Sequence, residues 1–141
     1  MNQKIFHKGG CRCGAIRYRT DGAPSYVGNC HCDDCRRATG GPSVPWFGAH
    51  PENFSVTKGQ VKEYESSPGV FRGFCGTCGS PLTFRGDGWN DIALTVASLD
   101  DPDSVTPSSN VFLREKLHWV LINEDWRNYD GFPENSKGVD R

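Results

Sequence analysis

Seven cysteines carry most of the chemistry that this 141-residue sequence can offer. They fall as Cys11 and Cys13 in a C-x-C pair, Cys30, Cys32 and Cys35 in a C-x-C-x-x-C run, and Cys75 and Cys78 in a C-x-x-C pair. The first residues, Met1 to Gly10, are polar and lack the apolar stretch of a secretory signal. The chain is therefore expected in the cytoplasm, where thiols stay reduced and clustered thiols read as metal ligands. Thiolate sulfur favours zinc, with an iron–sulfur centre second.

Seven divides into four and three. A structural zinc takes four protein ligands, whereas a catalytic zinc keeps three and leaves a position open. Both isolated pairs are followed by glycine, as CRCG and CGTCG, and read as turn-forming knuckles that meet across the fold. They predict a closed site from Cys11, Cys13, Cys75 and Cys78. The other three, Cys30, Cys32 and Cys35, are close enough in sequence to grip one ion together, which predicts an open second site. A histidine or carboxylate could instead close it. His31 is poorly placed for this, because an extended segment points it away from the face that Cys30 and Cys32 share. His50, His118, Asp33, Asp34 or a residue of a partner chain remain as alternatives. A thioredoxin-like role for Cys75 and Cys78 lacks the βαβ setting it needs.

The elements that must position these thiols read as mainly β. Short β-rich runs cover Ala15 to Arg19, Ser25 to Asn29, Val44 to Gly48, Phe54 to Thr57, Val61 to Glu65, Val70 to Phe74, Leu82 to Arg85, Ile92 to Ala97 and His118 to Ile122. Glycine and proline punctuate them throughout. The pattern predicts short antiparallel sheets tied together by zinc knuckles. One short helix is predicted over Asp33 to Thr39, with Asp33 or Asp34 as its cap and Gly40 as its left-handed stop. It places Cys35 in the first helical turn. A further short turn is expected at Asp100 to Ser104, and a frayed tail over 134–141.

Composition narrows the function. Lys and Arg number 16 against 17 Asp and Glu, for a net charge of −1, which is not the basic footprint of a nucleic-acid binder. No apolar run is long enough to span a membrane. The length is that of one domain, 1–141. Val, Ile, Leu and Phe total 28 residues, a lean core of the kind that borrows stability from metals.

Three stretches together resemble a known family. They are Gly10-Cys11-Arg12-Cys13-Gly14 with Arg17-Tyr18, then Cys30-His31-Cys32-Asp33-Asp34-Cys35-Arg36-Arg37-Ala38-Thr39-Gly40, then Arg72-Gly73-Phe74-Cys75-Gly76-Thr77-Cys78-Gly79-Ser80-Pro81-Leu82. In this order they resemble the glutathione-dependent formaldehyde-activating enzymes, a family that also contains centromere protein V. The resemblance runs from about Gly10 to Phe132. It implies a β-tent fold and two zinc ions per chain, split as the count above splits them.

The same resemblance implies a carbon–sulfur lyase. The open metal at Cys30, Cys32 and Cys35 would take a small thiol as thiolate, with glutathione and formaldehyde as the named substrates and S-hydroxymethylglutathione as the product. Glutathione carries two carboxylates, for which Arg36 and Arg37 are the candidate cations. Trp46 and Phe47 are candidate pocket walls. No residue stands out as general acid or base. Two other readings compete: a zinc-stabilised binding module without chemistry, and an enzyme of this fold with an unrelated substrate. A binding module has no use for an open coordination position, so the surroundings of the triplet separate that reading from the lyase. The sequence leaves the oligomeric state open.

Overall fold

The computed structural model describes residues 4–133, so the expected frayed tail lies outside the described residues. Two sheets and one α-helix organise these residues. The smaller sheet has the order β1-β2-β5, built from Phe6–Gly10, Arg17–Asp21 and Phe54–Lys58, all antiparallel. The larger contains β3 (Val27–Cys30), β4 (Val44–Ala49), β6 (Lys62–Ser67), β7 (Val70–Phe74), β8 (Pro81–Gly86), β9 (Ile92–Thr95), β10 (Ser109–Val111) and β11 (Arg127–Asn128). Its order is β11-β10-β3-β4-β9-β8-β7-β6. From β3 to β6 every pairing is antiparallel. At the other end the antiparallel arrangement gives way, and β10 runs parallel to both β3 and β11.

Period-two patterning explains how the large sheet serves two cores. Along β4, Val44 and Trp46 join one buried cluster, while Phe47 and Ala49 join the other. On β9, Leu94 and Ala93 divide in the same way. Side chains alternate across a strand, so adjacent residues are sent to opposite faces. One core holds Tyr18 and Ile16 from the small-sheet side together with Cys11, Cys75 and the fully buried Leu82 and Leu94. The second holds Cys30, Cys32, Cys35, Trp46 and Phe112. Each of the two cysteine groups therefore belongs to a different core.

The helix, α1, spans Asp33–Thr39 as the sequence predicts, and Gly40 ends it at φ 78° with its N–H bonded to Arg36 O. Its cap differs from the expected aspartates. Cys32 is the N-cap, and its sulfur accepts the Cys35 N–H at 3.3 Å. The expected turn near Asp100 appears as a 3₁₀ turn at Pro102–Ser104. The expected strand over His118 to Ile122 does not form. Lys116 Nζ donates to Leu117 O and Val120 O, which folds this stretch into a turn, and Leu121 is 94% exposed. None of the described helices is long and apolar enough to cross a membrane.

Candidate metal centres and the cleft beside them

The four-thiol cluster is assembled by two matching loops. In the first, Cys11 N donates to Ile16 O, Ile16 N donates back to Cys11 Sγ at 3.2 Å, and Gly14 N closes on Cys11 O. The second loop repeats this around Cys75. Its sulfur accepts the N–H groups of Thr77 and Cys78, and Gly79 N closes on Cys75 O. Gly14 and Gly79 both sit at φ 80°, the left-handed region that a side chain would strain, which is why each pair ends in glycine. Arg12 N donates to Ser80 Oγ at 2.9 Å and so joins the loops. The result brings Cys11, Cys13, Cys75 and Cys78 together, with sulfurs 3.6 Å apart for Cys11 and Cys13 and 3.8 Å for Cys13 and Cys75.

Crowding makes these thiols titrate against one another. Hydrogen bonds from the Ser80 side chain and backbone, with help from the Cys13 backbone, lower Cys78 to about 5. Cys13 feels the lowering pull of the Ala15 backbone N–H, but the Cys11 thiol, slight burial and the other sulfurs carry it up to about 11. Adjacent thiols cannot all ionise without a cation among them. All seven cysteines lie in the described residues and none is in a disulfide.

The second cluster is local and dry. Cys30 ends β3, Cys32 caps α1 and Cys35 lies in the first helical turn, so one strand-to-helix passage supplies all three sulfurs. They lie within 4.8 Å of one another and are all buried. The thiols of Cys32 and Cys35, then burial, push the Cys30 thiol far up. Such a group ionises only when a cation joins it.

No histidine or carboxylate of the described residues completes this triplet. His31 is fully buried, but its Nε2 lies 2.9 Å from Asn110 Oδ1, which is in turn linked to Asn128. His50 caps the turn at Pro51–Asn53 through Nδ1, and His118 is exposed. Asp33 pairs with Arg37 at 3.0 Å, and Asp34 lines a neighbouring cleft.

That cleft has a volume of about 520 Å³ and includes Arg37, Trp46, Tyr64, Arg72 and Thr83 in its wall. Arg36 does not line it. Its Nε donates to His31 O at 3.3 Å and its Nη2 to Glu115 O at 3.2 Å, which clamps the helix to the chain on either side. Trp46 lines the cleft. Phe47, its neighbour on β4, instead points into the other core and packs near His7.

Arg72, which carries no site role in the sequence reading, stands out here. It sits on β7 between Tyr64 and Phe84 of the flanking strands. Its guanidinium lies 4.1 Å from the centre of the Phe84 ring, and Nη2 is 3.6 Å from Cys35 Sγ. The only hint in the sequence was its place three residues before Cys75, inside a motif read for its cysteines.

Fold and site together define a mainly β protein with two thiol clusters able to hold metal ions, one of them beside a cleft. The chain belongs to the family described as glutathione-dependent formaldehyde-activating enzyme, whose sequence profile matches residues 6–115. It is 31% identical over 145 residues to a protein of Halomonas elongata named for glutathione-dependent formaldehyde activation, covering 92% of this chain and 90% of that one. A solved Rhodobacter sphaeroides protein has the same fold, with a TM-score of 0.56 and 24% identity over 71% of this chain and 91% of its own.

Proposed function

We propose that the protein is a zinc-dependent carbon–sulfur lyase acting on the adduct of a thiol and a small aldehyde. The favoured pair is glutathione and formaldehyde, giving S-hydroxymethylglutathione. The reading rests on one observation above the others: a buried triplet of thiols, with no fourth histidine, cysteine or carboxylate among the described residues, beside a cleft. The family name supports the substrates.

The donor sets fit zinc. Four sulfurs around one zinc at the usual bond length of about 2.3 Å stand about 3.8 Å apart, which supports the four-thiol cluster as a structural site. The observed separations are 3.6 and 3.8 Å. Cys30, Cys32 and Cys35 would hold the second ion. When bound, that ion would supply a position for the substrate sulfur and favour its thiolate form at neutral pH.

The chain's own groups do the rest. Trp46 offers an apolar wall to the cleft, and Arg37, at its exposed edge, offers a cation to a substrate carboxylate. Arg36 holds the passage that carries the triplet, so its contribution to binding is through position. The bond formed is between the substrate sulfur and the aldehyde carbon; the carbonyl π bond breaks onto oxygen, which takes up the proton that the thiol gave up on ionising.

Mixing glutathione and formaldehyde at neutral pH and following adduct exchange by NMR tests this. The zinc-loaded protein should accelerate exchange above the spontaneous rate, and Cys35→Ser should abolish the acceleration. Absence of glutathione binding at millimolar concentration would exclude the named substrate.

A further inference from the structure

Arg72 is a cation with an unsatisfied hydrogen-bond donor. Arg17, Arg19, Arg36, Arg37, Arg85 and Arg114 each have a carboxylate partner. Arg12, Arg127 and Arg72 have none among the described residues; the first two are exposed, whereas Nη1 of Arg72 is buried without a hydrogen-bond partner. An unsatisfied buried donor is costly, more so when it carries charge. Trp46 Nε1 is buried and unpartnered as well. The two side chains meet the same ring, since the Trp46 and Phe84 centroids are 5.8 Å apart and Arg72 stacks on Phe84. Both line the cleft.

We infer that Arg72, with Trp46 beside it, is the carboxylate seat of this site, and that it selects thiols bearing a carboxylate a short distance from the sulfur. The inference rests on the proposed open thiol site. A guanidinium is a rigid fork whose two arms serve neighbouring acceptors. One arm of Arg72 already meets Cys35 Sγ at 3.6 Å, so an anion hydrogen-bonded to the other arm lies no more than about 9 Å from that sulfur. A ligand whose sulfur sits at the triplet can therefore reach Arg72 with a nearby carboxylate. Stacking on Phe84 fixes the plane of the fork before the ligand arrives. Arg36 is bound to His31 O and Glu115 O, and Arg37 stands at the exposed edge of the cleft, so Arg72 adds a separate cation beside Cys35 for a carboxylate close to the sulfur.

The test uses the zinc-loaded full chain and two probe thiols, mercaptoacetate and 2-mercaptoethanol, with binding followed by calorimetry. The ratio of their affinities is compared between the natural protein and Arg72→Gln, so that differences in thiol acidity between the probes cancel. The carboxylate probe should lose about 10- to 100-fold relative to the other on substitution. The affinity for 2-mercaptoethanol should hold, as should zinc content. Arg72→Lys, which keeps the charge without the fork, should lose most of the same preference. Trp46→Phe, which keeps the ring and removes the N–H, should lose a smaller part.

An affinity ratio that Arg72→Gln and Arg72→Lys leave unchanged would overturn the assignment while leaving the thiol site standing. Equal weakening of both probes together with zinc loss would also overturn it, because Arg72 would then act only by holding Cys35. Failure of both thiols to bind the natural protein would remove the open thiol site and this inference with it.

Discussion

The two cysteine clusters use the same ligand chemistry in opposite structural settings. The four-thiol cluster joins loops that are distant in sequence, with Cys13 and Cys75 separated by 62 positions, and leaves Cys13 and Cys78 exposed. The triplet comes from one short passage, lies wholly inside its core and borders a cleft through Arg72. A cross-link between distant segments restricts the unfolded chain more than a local one does, by roughly 2 kcal/mol for loops of these lengths. A local, dry cluster beside a cleft is better suited to binding a substrate atom. The first cluster is therefore read as support for the fold and the second as support for chemistry.

The comparison breaks most visibly by removing one sulfur from each cluster. Cys75→Ser should cost roughly 4 kcal/mol or more, enough to unfold a small domain, because the folding energy supplied by a structural zinc goes with it. Cys35→Ser should leave a folded chain with a loss of about 1–3 kcal/mol. Urea denaturation of both variants checks this, and equal losses would mean that the triplet is structural too.

The next effect separates two adjacent arginines. Arg36→Ala removes charge-assisted bonds to His31 O and Glu115 O and should cost about 1.5–3 kcal/mol. Arg37→Ala touches a side chain that is 81% exposed and paired only at the surface, so stability should change by no more than about 0.5 kcal/mol. Thermal melts of the pair would show the contrast. If the two melt alike, the clamp assigned to Arg36 is wrong.

Ser80→Ala probes the four-thiol cluster alone. Its hydroxyl accepts from Arg12 N and lies 3.2 Å from Cys78 Sγ. Its loss should cost about 1 kcal/mol and make one of the two ions easier to chelate while the other keeps its affinity. Metal analysis during chelation reads this out. The smallest effect is at the rim of the small sheet, where Asp100 pairs with Arg17. The Arg17 hydrogen bond holds the Asp100 carboxyl below its ordinary value. The pair's stabilisation is thus present above the unfolded carboxyl's pKa and is lost as pH falls through the depressed folded value. Asp100→Asn should cost less than about 1 kcal/mol at pH 7 and flatten the acid limb of the stability curve.

What the sequence revealed follows from how local each signal is. The helix Asp33–Thr39 was legible to the residue, because its acidic start and Gly40 stop are local chemistry. The split of the cysteines was legible from spacing. Strands β1, β10 and β11 were not, since Phe6–Gly10 ends in two glycines and the others are short and polar. β1 is made β by its hairpin with β2 and β10 by pairing with the distant β3, while Asn110 and Asn128 are tied by side-chain bonds that no periodicity records. His118 to Ile122 misled in the opposite sense, being apolar and β-rich without a partner strand. Arg72 was invisible as a candidate site residue because its proximity to Cys35, 37 positions away, is set by the fold.

The central claim is that seven thiols hold two ions of unequal kind, and equilibrium chelator titration with metal analysis tests it most directly. The account predicts two zinc ions per chain leaving in two steps, the first without unfolding and absent from Cys35→Ser, the second together with loss of structure. Iron in place of zinc, a single ion, or release of both in one step with unfolding would contradict it.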